Sequence, residues 1–362
     1  MTRHLLVLTL LLATLSAYGQ QPQPQYAEIF KSSVLSGTIG DTTVNLYLAP
    51  SPYIRDAAGE FITSATGTLD ICVYEIDLPM VLGRILDAHK RGVKVRLAVP
   101  PSAKPSQYQE IIHAQFMDLE KQKIIRYTTP KSGLMHNKFM VADGARIWTG
   151  SYNLTKNDTE LNDNNAITFS NRFLAANYTA EFEEIWADKH GKKNSTPTPH
   201  PSVMLGGTPL QSLFSPEDDM EGAMVREISK ATNSIYIMAF GLSDDQIFGA
   251  LSNAVAKGVK VFALFDLELS RQRSSQSGPL RDAKATVRIS SNNGQMHHKV
   301  IVVDGTVVIT GSPNFSNAAF EQNDENALIF TCPPLARAFI REFERCWQAK
   351  PYIWNKWNQP VR

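Results

Sequence analysis

Cysteine is scarce, three residues in a chain of 362, and no two stand in a CxxC pair. A zinc finger or a dithiol redox site is therefore not encoded. Excess charge of either sign is missing as well: 36 basic side chains face 35 acidic ones. A nonspecific nucleic-acid binder usually carries a basic surface, and the overall balance provides none. Long apolar runs are confined to one place, Leu5 to Leu15, which is short for a membrane span. Arg3 and His4 precede that run, and the small residues Ala17 and Gly19 follow it. Residues 1–19 thus read as a secretory signal peptide, and the expected location is secreted or periplasmic. An uncleaved N-terminal anchor is the alternative. With no cysteine at the cleavage point, a lipid-anchored form is not expected.

What is present is a soluble, globular composition, 43% hydrophobic and 20% charged, at a length that suits two domains. Cys72, inside the apolar run ICVYEI, reads as a small core residue. Cys332 and Cys346 either pair in an oxidising compartment or pack in the core, since the first half has Ile185 where Cys346 stands. The local basic clusters, Lys121, Lys123, Arg126 and Lys131, and Arg271, Arg273 and Arg281, read as solvated faces.

The dominant feature is an internal repeat. MHNKFMVADGARIWTGSYN begins at Met135 and MHHKVIVVDGTVVITGSPN at Met296, an offset of 161 residues. The repeat extends outward from there. ATGTLDICVYEI, from Ala65, matches ATNSIYIMAFGL, from Ala231, at an offset of 166, and GVKVRLAV, from Gly92, matches GVKVFALF, from Gly258, at the same offset. The second half is therefore five residues shorter between these blocks and the motif. EFEEIW at Glu181 and EFERCW at Glu342 return to 161.

Each half reads as β-α-β, a long loop, a hairpin and a closing helix. The expected strands include Leu69–Tyr74 and Val93–Val99, and the expected helix Pro79–Arg91 ends at Gly92. Asp143-Gly144 and Asp304-Gly305 are expected hairpin turns. The fold class is α/β: two duplicated α/β sandwich halves related by a pseudo-twofold axis. Residues 20–190 form the N-terminal half, 191–207 a Pro- and Thr-containing linker, and 208–362 the C-terminal half. Residues 20–25 are a flexible lead.

Within each motif a histidine and a lysine sit two apart, so an extended backbone sends both to one face. Four side chains then converge on one pocket: His136, Lys138, His297 and Lys299. That set suits a phosphodiester. Two lysines neutralise the non-bridging oxygens, one imidazole attacks phosphorus, and the other protonates the leaving oxygen. An imidazole titrating near neutrality can exchange acid and base roles between half-reactions. No metal or other cofactor is required, because the lysines supply the charge that magnesium would otherwise bring. Ser151 and Ser312 follow glycines that permit close backbone approach, and Asn153 and Asn314 can donate amide hydrogens; all four are expected phosphate ligands. Asp143 and Asp304 fall on turns, where a structural supporting role is expected. His298 points away from its neighbours and is not expected to take part. Trp148, Trp186 and Trp347 read as packing residues.

HxKxxxxD followed by GSxN, present twice, resembles the phospholipase D or HKD superfamily. The resemblance covers nearly all of the chain after the leader. It implies a covalent phosphohistidine intermediate without a metal cofactor, and, from two-motif relatives, His136 as nucleophile with His297 as acid and then base. It also implies a glutamate after GSxN that fixes a histidine tautomer. Glu325 in QNDENALIF occupies that position, whereas LNDNNAITF has Asn164. An amide orients a ring but does not stabilise an imidazolium by charge, so the two histidines should differ in pKa.

Three functions follow. The first is an exported phosphodiesterase hydrolysing or transferring phospholipid head groups at a membrane surface. The second is a secreted nuclease of the same superfamily, with Arg271, Arg273 and Arg281 contacting nucleic-acid phosphates. The third is a non-catalytic scaffold, which both intact motifs disfavour. The loops Pro100–Gln109 and Glu268–Leu280 are expected to rim the pocket. Because the duplication supplies both half-sites, a monomer is permitted.

Overall fold

The structure is a computed structural model that describes residues 33–192, 195–348, 353–354 and 360–361. The expected signal peptide and the flexible lead lie outside the described residues. Among the described residues, no helix is long and apolar enough to cross a membrane.

Among the described residues, an eight-stranded sheet forms the body of each half. In the first the strands are β1 (Val34–Ile39), β2 (Thr42–Ala49), β3 (Thr68–Val73), β4 (Lys94–Val99), β5 (Ile125–Tyr127), β6 (Lys138–Ala142), β7 (Arg146–Gly150) and β8 (Asn164–Ser170), arranged β1-β2-β8-β7-β6-β3-β4-β5. The second has β9 (Ser202–Leu205), β10 (Thr208–Ser215), β11 (Ser234–Ala239), β12 (Lys260–Phe265), β13 (Thr286–Ile289), β14 (Lys299–Val303), β15 (Val307–Gly311) and β16 (Glu325–Thr331). Their order, β9-β10-β16-β15-β14-β11-β12-β13, repeats the first. In both sheets only the three strands at the β5 or β13 edge run parallel; the other pairings are antiparallel. The duplication read in the sequence is thus a duplication of topology. The segment expected to be a linker, 191–207, includes β9, which pairs with β10 at the sheet edge. Alternating Val203 and Leu205 are buried there, which the Pro-rich composition around them hides.

Both hairpin turns sit where Asx-Gly predicts. Asp143 and Gly144 have φ of 56° and 57°, and Asp304 and Gly305 of 51° and 65°, the left-handed pair of a type I′ turn. Alternation along β6 then sorts the core into layers. Met140 and Ala142 join an outer cluster with helices Pro52–Thr63 and Pro79–Lys90, while Phe139 and Val141 face inward. The second sheet has its own outer cluster. A third cluster lies between the sheets and contains both closing helices, Arg172–Trp186 and Pro333–Trp347. Burying both helix faces in one shared core makes the halves a single packed body.

The three cysteines are buried, and Cys332 and Cys346 pack in the core between the sheets.

Candidate active site

The strands place the two motifs at the boundary between the halves. His136 immediately precedes the β6 pair, and its N–H donates to the Asp324 carbonyl at 3.0 Å. His297 donates likewise to the Asp163 carbonyl at 2.9 Å. Asp324 N and Asp163 N return the bond, to Leu134 and Gln295 carbonyls, at 2.8 Å each. Such reciprocal exchange is what a twofold relation between halves requires. Each motif strand is thereby registered by the opposite half.

Both histidines line one cleft of about 830 Å³. It opens at the carboxyl ends of parallel strands, where Tyr74, Glu75 and Asp77 follow β3, Phe240 follows β11, and Asp266 and Glu268 follow β12. Each imidazole is about 8% exposed, enough to meet a substrate from a single side. Tyr74 stands edge-on to the His136 ring at 5.0 Å between centroids, and Phe240 does the same for His297 at 5.3 Å.

The Nδ1 atoms point away from the cleft, and here the symmetry breaks. His136 Nδ1 lies 2.8 Å from both carboxylate oxygens of Glu325, which comes from the opposite half. His297 Nδ1 lies 2.8 Å from Asn164 Oδ1. Both partners are acceptors, so each ring carries its proton on Nδ1 and leaves Nε2 for the cleft. Burial lowers the His136 pKa, and Glu325 opposes that without cancelling it. His297 falls well below the usual imidazole range, through burial and then through the charges of Lys299 and Lys138. The two histidines therefore differ as the Glu/Asn exchange implies. Glu325 itself is held low despite its burial, chiefly by His136.

Lys138 and Lys299 are about 1% exposed. Each donates to the carbonyl of its own motif histidine, at 2.7 Å and 2.8 Å. Nζ of Lys138 lies 5.4 Å from the Tyr74 ring centroid, and Nζ of Lys299 lies 5.4 Å from that of Phe240. Burial brings the Lys138 pKa down to about 8, against the pull of Glu325, Asp158 and Glu75. Burial and Lys138 together push Lys299 well down. An ammonium group buried away from water stabilises charge developing on a phosphoryl oxygen more strongly than a solvated one.

The serines depart from expectation. Ser151 and Ser312 are fully buried and lie behind the histidines. The Ser151 hydroxyl donates to Asn164 Oδ1 at 3.0 Å, and the Ser312 hydroxyl to Glu325 Oε2 at 2.6 Å. Each also accepts a backbone N–H, from Asn165 or Asn326. With the hydroxyl proton and one lone pair engaged in this way, these serines aim the residue that aims the histidine. The glycine before each permits this packing: a Cβ on Gly150 would meet Asn165 O at 2.4 Å. Asn153 and Asn314 do line the cleft.

Asp143 and Asp304 act at the far ends of the hairpins. Asp143 accepts from the N–H groups of Thr66, Gly67 and Thr68, and Asp304 from Thr232, Asn233 and Ser234, all within 3.2 Å. They tie the turn to the start of β3 or β11 and are structural. His298 is buried between Asn165 and Glu342, away from the cleft. Of the two loops expected at the rim, Glu268 and Arg271 line the cleft, but Pro100–Gln109 does not. Lys104 in that first loop pairs with Glu120 at 2.9 Å, holding it against helix Glu110–Lys121.

Sequence reasoning missed several groups. Asn165 and Asn326 cross the boundary between halves: Asn165 Oδ1 accepts from Thr310 at 3.0 Å, and Asn326 Oδ1 from Thr149. Both asparagines are identical at the 161 offset, so a signal was present. Asp158 is different. Its carboxylate lies 3.9 Å from His297 Nδ1, and the matched residue is Ala319, so only the fold reveals it.

Comparison with known proteins agrees with this geometry. The family model described as "Cardiolipin synthase, PLD-like domain" matches twice, over residues 59–186 and 224–347. Phospholipase D of Rickettsia conorii is 38% identical over 139 residues, 38% of this chain and 70% of that protein. Mitochondrial cardiolipin hydrolase of Xenopus laevis is 35% identical over 144 residues, 39% of this chain and 69% of its own length. The crystal structure of phosphatidylserine synthase from Haemophilus influenzae shares the fold, with a TM-score of 0.66 at 10% identity, over 88% of this chain and 89% of that one. The chain belongs to the PLD-like domain family and, with both domains in one polypeptide, is a phospholipase D-superfamily enzyme acting on phosphodiester bonds.

Proposed function

We propose that the protein is an exported, metal-independent phospholipase D-type enzyme that hydrolyses, or transfers to an alcohol, the head group of a phospholipid. One observation carries the reading: two imidazoles from opposite halves face a single cleft, and behind Tyr74 and Phe240 of its lining lie the buried ammonium groups of Lys138 and Lys299.

The chemistry follows from the asymmetry behind the rings. His136 Nε2 attacks phosphorus, and its ring then carries positive charge for as long as the phosphoryl–histidine bond lasts. The Glu325 carboxylate on Nδ1 neutralises that charge directly. For this step His297 enters with a second proton on Nε2, beside the Nδ1–H held by Asn164; it gives the Nε2 proton to the leaving alkoxide and ends neutral, the form that its amide partner and its lowered pKa favour. In the second half-reaction the same ring takes a proton from water or an acceptor alcohol, and phosphorus returns to oxygen. Lys138 and Lys299 stabilise the equatorial oxygens throughout. One chain supplies both half-sites, so a monomer suffices.

The cleft walls favour a lipid head group over nucleic acid. Glu75, Asp77, Asp158, Asp266 and Glu268 line them, against Arg271 as the cation of the rim. Arg273 and Arg281, the other expected phosphate contacts, are not among the lining residues. Acidic walls repel a polyanionic strand and accommodate the amine of a zwitterionic head group. Export rests on the N-terminal signal read in the sequence.

Incubation with phosphatidylcholine vesicles, and separately with plasmid DNA and single-stranded RNA, tests the reading. Phosphatidic acid and free choline without strand scission are expected. Strand scission without lipid turnover would replace it with the nuclease.

A further inference from the structure

Asp163 and Asp324 are matched residues, and the carbonyl of each holds the N–H of the opposing motif histidine. Their side chains are held differently. On the His297 side, Asp163 is gripped by Arg345 at 2.7 Å, and the same guanidinium holds Glu342 at 2.6 Å and 2.8 Å. The residue matched to Arg345 in the first half is Glu184, a reversal of charge. Glu184 lies with Glu181 and Glu217 in a cluster of carboxylates, and Glu181 holds Asn137 beside His136 at 3.0 Å. An arginine clasp is therefore not available to Asp324. His190, beyond the end of helix Arg172–Trp186, reaches it instead. Its Nδ1 lies 2.6 Å from Asp324 Oδ2, and its Nε2 lies 3.0 Å from Asp188 Oδ1. Asp188 in turn accepts from the N–H and hydroxyl of Thr129 at 3.2 Å.

We propose that His190 is a positioning residue for His136: it clasps Asp324 across the boundary between the halves and so fixes the strand entry that supplies both the acceptor for His136 N–H and the Glu325 carboxylate. This rests on the reading of His136 as a reacting histidine. Both ring nitrogens of His190 contact carboxylates, so both must donate for the clasp to be whole. A neutral imidazole has one N–H, and deprotonation removes one of the two bonds.

The surroundings bias the ring toward its proton. Lys131 from the loop before β6 and Lys192 beyond the helix line the same surface cavity, opposed by Glu321 from helix Asn317–Glu321. Behind Asp324 stand Glu325 and Glu184, which with burial raise its pKa although His190 pulls it down. Glu217 is pushed up by burial foremost, with Asp324 and Glu184 adding to it. Burial lowers His190, but Asp324 and then Asp188 raise it further, and the net direction is up. A raised histidine pKa means the clasp is complete on the acid side and is lost as pH rises through that value. Arg345 on the other side keeps its charge throughout.

Turnover of bis(p-nitrophenyl) phosphate across neutral and alkaline pH tests the clasp in three forms of the full-length enzyme. Relative to wild type, His190→Gln is expected to lower kcat roughly 5-fold, about 1 kcal/mol, with KM unchanged. His190→Arg is expected to keep the wild-type kcat on the acid side and to lose part of the alkaline decline, leaving only that due to Lys138. Wild-type kcat and profile in the Gln variant, or an unaltered decline in the Arg variant, would overturn the proposal. NMR titration of the His190 ring decides the clasp independently of turnover. A pKa above that of an ordinary histidine, falling in Asp324→Asn, is expected; one at or below the ordinary value overturns the clasp. An inert wild-type enzyme would instead count against the catalytic reading.

Discussion

Glu325→Gln makes the His136 side chemically equivalent to the His297 side, where an amide already serves. Shape is nearly conserved. The Glu325 carboxylate now accepts from His136 Nδ1 at 2.8 Å, from the Ser312 hydroxyl at 2.6 Å and from Asn323 Nδ2 at 3.0 Å. A glutamine oxygen can still accept from the ring, but its NH2 group must then face Ser312 or Asn323, which are donors in the native arrangement. Ser312 can rotate to accept; Asn323 has to turn its amide. The larger loss is charge. Hydrogen bonds to charged groups contribute ~1.5–3 kcal/mol against ~1 for neutral ones, and the ring gains positive charge as Nε2 bonds to phosphorus. The difference, about 0.5–2 kcal/mol at that step, corresponds to roughly 2- to 30-fold in kcat/KM. The assay is steady-state turnover of a soluble phosphodiester, with circular dichroism to confirm the fold and an alkaline quench to measure the covalent fraction. A variant that folds and keeps the wild-type kcat/KM to within about 1.5-fold refutes the role assigned to Glu325, and with it the argument that the carboxylate marks the nucleophile.

Further outcomes are expected from the same geometry. His136→Asn and His297→Asn should each cost on the order of 10³-fold or more in kcat, and the double variant little beyond either, because the rings act as one unit. Lys138→Met should abolish turnover yet stabilise the free protein, seen as a higher Tm. The folded Lys138 pKa of about 8 lies below its unfolded value, so its buried charge opposes folding at neutral pH by on the order of 3 kcal/mol. By the same sign, wild-type stability should rise as pH climbs from about 8 toward the unfolded lysine value, while kcat/KM falls through about 8. Asp143→Ala should leave kcat within about twofold and lower stability by about 1–2 kcal/mol in urea melts, since it orphans three backbone donors remote from the cleft. EDTA should leave activity unchanged; its abolition would contradict a site whose charge comes from lysines.

The repeat made the architecture legible before any coordinates. Two offsets, 166 ahead of the motif and 161 from it onward, carry strand order, hairpin and closing helix from one half to the other, and period-two alternation assigns His136 and Lys138 to one face. Asp-Gly turns located the hairpins because left-handed dihedrals favour those residues. Less legible was everything that depends on which half touches which. The Glu325–Asn164 exchange was visible, but that each residue serves the histidine of the other half required the reciprocal bonds through Asp163 and Asp324. Ser151 and Ser312 looked like phosphate ligands because each follows a glycine that permits close backbone approach; their burial behind the rings is a packing result. Asp158 and His190 break the repeat, and a search for matched residues passes over unmatched ones.

A bond from His136 Nε2 to phosphorus is the central step of the proposed chemistry. Single-turnover reaction with short-chain phosphatidylcholine, quenched in alkali and mapped by peptide mass spectrometry, reads this directly. A phosphatidyl adduct confined to the peptide bearing His136, decaying as phosphatidic acid appears, is the result expected. An adduct on the His297 peptide, or product formed with no adduct at either histidine, would contradict it.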